Sequence, residues 1–152
     1  MKTLSTLTFI TVIFFINCVT VQGQNISITT YSEITRISPK VGIQLGTTLP
    51  LYCGKIEVGG FYQKSLVSQS GEAQLKKFEH EFYGMYASFF LIDKNKVDLK
   101  FNIRSGSVNG KYFCITPAIK SQIRLSNALS FEGGFGLRNM RPTLITGLTI
   151  LL

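Results

Sequence analysis

The sequence predicts an all-β chain: an eight-stranded antiparallel up-and-down transmembrane β-barrel, preceded by a cleaved signal peptide. Three observations predict it. Period-two alternation recurs along the chain after residue 23, while helical periodicity is nearly absent. In strand after strand Lys and Arg keep to one parity, and the same parity collects the glycines. A basic and apolar leader marks the chain for export.

The leader comes first. Lys2 supplies a positive n-region, Leu7 to Ile16 is almost wholly apolar, and Val21-Gln22-Gly23 places Val and Gly where a signal peptidase reads. The expected division is a signal peptide over 1–23 and a barrel over 24–152, starting at Gln24. The alternative of a lipid-modified Cys18 wants a small residue before it, and Asn17 stands there. Removing Lys2 lowers the formal charge from +8 to +7. No later segment approaches the roughly 20 consecutive apolar residues of a membrane helix, so membrane residence would have to be by strands. The basic balance lacks an aromatic-basic cluster, which excludes nucleic acid as the natural partner and favours anionic headgroups.

The strands follow in order. A weak first one is "ISITTYSEI", Ile26 to Ile34. In the second, Val41, Ile43, Leu45, Thr47 and Leu49 alternate with Lys40, Gly42, Gln44, Gly46 and Thr48. In the third, Ile56, Val58, Gly60 and Tyr62 alternate with Lys55, Glu57, Gly59, Phe61 and Gln63. The fourth sets Tyr83, Met85, Ala87, Phe89 and Leu91 against Phe82, Gly84, Tyr86, Ser88 and Phe90. "KVDLKFNIR" is the cleanest: Val97, Leu99, Phe101 and Ile103 against Lys96, Asp98, Lys100, Asn102 and Arg104. The sixth places Phe113, Ile115, Pro117, Ile119 and Ile123 opposite Tyr112, Cys114, Thr116, Ala118, Lys120 and Gln122. The seventh places Leu129, Phe131, Phe135 and Leu137 opposite Ser130, Glu132, Gly134, Gly136 and Arg138. "TLITGLTILL" presents Leu144, Leu148, Ile150 and Leu152 together.

Which face is wet decides the function class. The apolar parity carries no charge in its central stretches. The other parity holds Gly42, Gly46, Gly59, Gly84, Gly106, Gly134 and Gly136 beside Phe82, Tyr86 and Phe90. Glycine inside a strand is unfavourable unless space is tight, and the lumen of an eight-stranded barrel is tight. Lipid therefore lies against the apolar faces. With the N-terminus inside, the links near 49–53, 92–96 and 124–128 fall on the inner side and are short. The longest link, 64–77, falls outside.

On these residues the chain resembles the small eight-stranded outer-membrane β-barrel proteins of diderm bacteria. The likeness spans Gln24 to Leu152 and rests on the leader, the strand rhythm, and segments such as "FYGMYASFFLIDKNKVDLKFNIRSG" and "LSFEGGFGLRN". Many members of that group end in an aromatic residue, where this chain has Ile150-Leu151-Leu152.

A polar network in the lumen is expected from Lys40, Lys55, Lys100, Arg104, Lys120 and Arg138 with Gln44, Glu57, Asp98 and Glu132. Hairpin pairing through 124–128 sets Lys120 opposite Glu132, and pairing through 49–53 sets Gln44 near Glu57. Buried charges need partners, so the network reads as a plug, with an anion-preferring pathway as its alternative. Asn109-Gly110 reads as a hairpin turn, but a two-residue loop would set inward Arg104 beside outward Ile115; a three-residue loop or bulge is expected at 107–111. Cys53 and Cys114 belong at opposite ends of the barrel, too far apart for a disulfide.

No catalytic constellation stands out. His80 in "FEHEF" is flanked by Glu79 and Glu81, both of the parity opposite to its own, and the three cannot converge on one metal ion from a strand. Ser88 lies eight residues from it, about 26 Å along a strand, too far for a Ser-His hydrolase. "GGFG" (133–136) has no following helix to bind phosphate, and Asn25-Ile26-Ser27 is a sequon with meaning only in a eukaryotic secretory route. Tyr62, Tyr83 and Tyr112 lie near strand ends, as girdle residues do. The expectation is a monomeric, cofactor-free, non-enzymatic outer-membrane protein. Its role is structural or surface-interactive, with limited small-solute passage secondary. Its partners are outer-membrane lipid, surface glycolipid and an extracellular partner at 64–77. The rivals are a secreted soluble barrel with Phe89, Phe101 and Phe131 around an apolar ligand, and a lipid-modifying outer-membrane hydrolase.

Overall fold

The computed structural model describes residues 25–35, 39–52, 54–66 and 80–152. The expected signal peptide, Cys18, Cys53 and nearly all of the 64–77 loop lie outside the described residues, so the Cys53–Cys114 expectation does as well. Eight strands run β1 (Asn25–Ile34), β2 (Pro39–Leu51), β3 (Gly54–Ser65), β4 (Glu81–Asp93), β5 (Val97–Val108), β6 (Tyr112–Arg124), β7 (Leu129–Arg138) and β8 (Arg141–Leu151). Each pairs antiparallel with the next, and β1 pairs with β8 to close the barrel. Among the described residues there is no helix.

The registers set the barrel's shape. Rungs lead from Asn25 through Thr48, Glu57, Ser88, Asn102, Ala118 and Gly136 to Thr143. The last strand pair has Ile34 opposite Leu144, so Thr143 stands one rung further, at position 35. The circuit is therefore displaced by ten residues, from 25 to 35. That stagger, with ~3.3 Å per residue and ~4.8 Å between strands, gives a tilt of roughly 40° and a backbone radius of about 8 Å. Strands of 10 to 13 residues at that tilt rise about 25–33 Å, the thickness of a hydrocarbon core.

So narrow a lumen explains its glycines. Gly46 faces Gly59 and Gly59 faces Tyr86 on adjacent rungs. The Tyr86 ring lies across this gap, and a Cβ on Gly46 would fall on its hydroxyl. Gly84 and Gly106 are rung partners, and a Cβ on Gly84 would collide with the Ser105 carbonyl oxygen. Backbones coil this tightly only where neither strand carries a side chain inward. Bulk enters where glycine leaves room: Phe61 and Phe82 pack edge to face, 4.6 Å between centroids.

Turns follow local chemistry. Val108 pairs with Tyr112, leaving the three-residue loop Asn109-Gly110-Lys111 that the parity conflict demanded. Asn109 and Gly110 have φ of 52° and 67°, and Lys111 N–H donates to the Val108 carbonyl. Asn139 and Met140 (φ 50° and 60°) form a two-residue turn of the primed kind. The links at 52–53, 94–96 and 125–128 are short and lie at the end with Asn25 and Leu151. β3 ends at Ser65 and β4 begins at Glu81 at the opposite end.

Two expected pairings are corrected. Lys120 is the rung partner of Gly134, and Glu132 pairs with Gln122. Gln44 pairs with Phe61, and Glu57 pairs with Thr48. The Lys120 pairing slips by two residues and the Gln44 pairing by four, because each hairpin closes at a different point: β2 continues to Leu51, while β6 and β7 part earlier, around a longer loop. A register slip by an even number preserves which face each side chain takes, so parity survived the error. An irregularity at Leu91, between Phe90 and Ile92, was not foreseen; it turns both Leu91 and Ile92 outward.

Candidate functional site: the charged lumen

The exterior of the barrel is apolar on every strand. Ile43, Leu45, Met85, Phe89, Ile119, Phe131, Phe135 and Leu148 all stand exposed. Phe89 and Phe131 therefore line no inner pocket, and Phe101 on the same face is half-exposed, which removes the cavity the soluble-binder alternative requires. The lumen holds the charges, in three tiers.

The middle tier joins β3, β5, β6 and β7. Lys100 Nζ lies 2.9 Å from Glu57 Oε2 and 3.7 Å from Glu132 Oε1. Lys120 Nζ lies 3.3 Å from Glu132 Oε2 and donates to Gln44 Oε1 at 3.3 Å. Glu57 Oε1 also accepts from Ser27 Oγ at 2.6 Å and Tyr86 Oη at 2.8 Å. Two carboxylates thus meet two ammonium groups, and neutral donors add to the Glu57 side; pairing of this kind is the condition for tolerating buried charge. Lys120 reaches Glu132 diagonally, across the slipped register.

The second tier lies nearer the 66–80 link and turns on Glu33. Its Oε2 accepts from Arg104 Nη2 and from Gln63 Nε2, both at 2.8 Å, and its Oε1 lies 3.6 Å from Arg138 Nη1. Gln63 Oε1 accepts in turn from Arg138 Nη1 at 2.8 Å. The guanidinium of Arg104 sits 5.3 Å from the Tyr31 ring centroid, and that of Arg138 sits 4.4 Å from Phe82. Glu33 is 0% exposed and Arg104 1%. Lys40, also buried, is Glu33's rung partner on β2. The Glu33 carboxylate here serves two guanidinium groups.

The third tier is the rim at the end carrying the short links. Lys55 was expected in the lumen, and its parity is right, but its side chain is 49% exposed and pairs with Asp93 at 2.6 Å. It sits one rung from the hairpin tip, so the lumen has ended. Arg124 bridges Asp93 (3.1 Å) and the buried Asp98 (2.9 Å). The hydrogen bond and ion pair with Lys55 hold the Asp93 carboxyl below its usual range. Above this rim a cavity of about 420 Å³ opens from that end, bounded inward by Glu57 and Lys100. Beyond it, Arg104, Phe82 and Ile145 are buried in the barrel.

Sequence reading missed Glu33, Gln63, Ser27 and Tyr86 as partners and placed Asp93 and Arg124 in turns. The signal for two of these was present: in β1, Ser27, Thr29, Tyr31 and Glu33 share a parity, and all four are buried. Ser88 Oγ accepts from Asn102 Nδ2 inside the barrel. His80 precedes β4 at the other end, its N–H donating to Asn109 Oδ1. Among the described residues no group of His, Cys, Asp and Glu converges to hold a metal ion.

No family model and no curated protein matches the chain. Solved structures do. A barrel described under "De novo design of transmembrane beta-barrels" superposes with a TM-score of 0.64 at 8% identity, over 84% of this chain and 95% of that one. The solution NMR structure of the de novo designed TMB2.3 gives 0.65 at 10% identity, over 86% and 96%. The crystal structure of Neisserial surface protein A is matched more loosely, at 0.41 and 11% identity, over 84% and 94%. At such identities the first two likenesses are of fold: this chain has the fold of a transmembrane β-barrel.

Proposed function

We propose that the protein is an integral outer-membrane β-barrel without an enzymatic site, oriented with its short links inward. Its role is to stabilise the envelope or to present its outer end, including the 64–77 loop, to a partner. One observation carries this reading. The apolar side chains stand on the outside of the full circumference, while Glu33, Glu57, Lys100, Arg104 and Lys120 are buried within. In water that arrangement would leave most of the hydrophobic surface hydrated and the charges desolvated; in hydrocarbon the apolar exterior is favourably solvated and the lumen keeps the charges out of lipid.

Solute passage is secondary. The tier around Glu33 fills the lumen with side chains paired to one another, which favours a plug over a pathway. The anionic partner class expected from the net charge is consistent with headgroups at the rims.

The chain has no tryptophan, so a single introduced one reports its own surroundings. Phe135→Trp and Ile43→Trp should emit in the blue and be quenched by brominated lipid after refolding into vesicles, while Tyr52→Trp at the inner rim should not. Water-like emission from Phe135→Trp and Ile43→Trp in the folded protein would overturn the membrane reading.

A further inference from the structure

A groove crosses the exterior wall obliquely. The rungs Lys64–Val41, Val41–Ser32, Ser32–Thr146, Thr146–Gly133 and Gly133–Ser121 align one row of mostly short outward residues across six strands. The parallel rows two residues away are bulky: Ile43, Leu148 and Phe131 on one side, Ile34, Leu144 and Phe135 on the other. The resulting trough is apolar, about 670 Å³ in its deeper part, and runs from Tyr62 and Lys64 past Val41 to Phe131.

Lys64 closes the upper end. It is exposed at the end of β3, and among the described residues no carboxylate lies within ion-pair distance of it. Its rung partner Glu81 instead accepts the Tyr62 hydroxyl at 3.1 Å. Five strand spacings of ~4.8 Å make the row about 24 Å long, and at right angles to strands tilted roughly 40° it descends about 15 Å. That is half of a ~30 Å hydrocarbon core, the depth of one leaflet.

We propose that this groove holds an acyl chain of a phosphate-bearing anionic lipid of the outer leaflet, with the phosphate beside Lys64. This rests on the membrane reading above. A cation at the headgroup level, an apolar trough beneath it and a descent of one leaflet match such a lipid in charge, polarity and length. A second copy of the chain fits less well, because among the described residues Glu81 is the one carboxylate of outward parity, and it is already engaged.

The test uses the full mature barrel in phosphatidylcholine vesicles, with spin-labelled phosphatidylglycerol or phosphatidylcholine as probe. Flotation with the vesicles and a heat-dependent gel shift establish insertion and folding. Wild type should favour phosphatidylglycerol about two- to fivefold, as expected for one exposed ion pair, and less at high salt. Lys64→Gln should bring the preference to unity. Gly133→Leu, where a Cβ would meet only the Phe131 ring at 3.7 Å, should release one motionally restricted lipid of either kind per barrel. An inserted wild type with no preference, or Lys64→Gln with preference retained, overturns the proposal and leaves the membrane reading intact. So does a Gly133→Leu variant that loses a barrel–barrel cross-link with lipid numbers unchanged, since the groove would then seat a second copy. Protein that fails to float with vesicles overturns both.

Discussion

Replacing Glu33 by Gln tests the charged lumen where it is most demanding. The change keeps the side chain's shape and removes one negative charge. It removes the carboxylate that lies 2.8 Å from Arg104 (1% exposed) and 3.6 Å from the buried Arg138. Breaking a buried pair by removing one partner costs about 3–5 kcal/mol, chiefly because a charge is left uncompensated. Here one carboxylate answers two guanidinium groups, at 2.8 and 3.6 Å, so the upper part of the range applies, about 4–5 kcal/mol. Against a total stability on the order of 5–15 kcal/mol, that loss is large enough to read directly. The assay is equilibrium urea unfolding of the barrel in vesicles, with the gel shift as a second probe. Adding Arg104→Met should restore at least about 2 kcal/mol by removing the guanidinium nearest the lost carboxylate. If Glu33→Gln unfolds within about 1 kcal/mol of wild type, or Arg104→Met does not rescue it, water screens this tier. The plug would then be a hydrated channel.

Lys100→Met should cost about 3 kcal/mol, less than Glu33→Gln, because the inner cavity brings water to Glu57 and Lys100; the same urea titration compares them. Gly84→Val should give no heat-shifted band, since its Cβ would meet the Ser105 carbonyl, whereas Gly133→Ala should fold within about 0.5 kcal/mol of wild type. Asn109→Ala removes both a residue tolerant of positive φ and the acceptor for the His80 and Glu81 N–H groups. It should cost about 1–3 kcal/mol, with faster amide exchange at 80 and 81. At the inner rim, the depressed Asp93 pKa means its ion pair contributes stability above the ordinary Asp range and loses it as pH falls through the lowered value. Asp93→Asn should remove that acid-side slope from the stability profile while leaving the neutral-side profile unchanged.

The sequence by itself determined which side of each strand is which. Alternation repeats every two residues, so in β2 through β7 the inward set can be read off even when the pairing is off by two, as with Lys120, or by four, as with Gln44. It also carried the strand number and the need for a third residue in the 109–111 loop, because these follow from parity alone. Only the tertiary structure decided who meets whom. Glu33 touches Arg104 and Arg138 across the lumen, 71 and 105 positions away, and Tyr86 lies over Gly46 from two strands off. The oblique row from Lys64 to Ser121 likewise exists only once the registers and the ten-residue stagger are set. Parity is a property of one strand; register, stagger and diagonal reach belong to the closed cylinder, where hairpin closure fixes every neighbour at once.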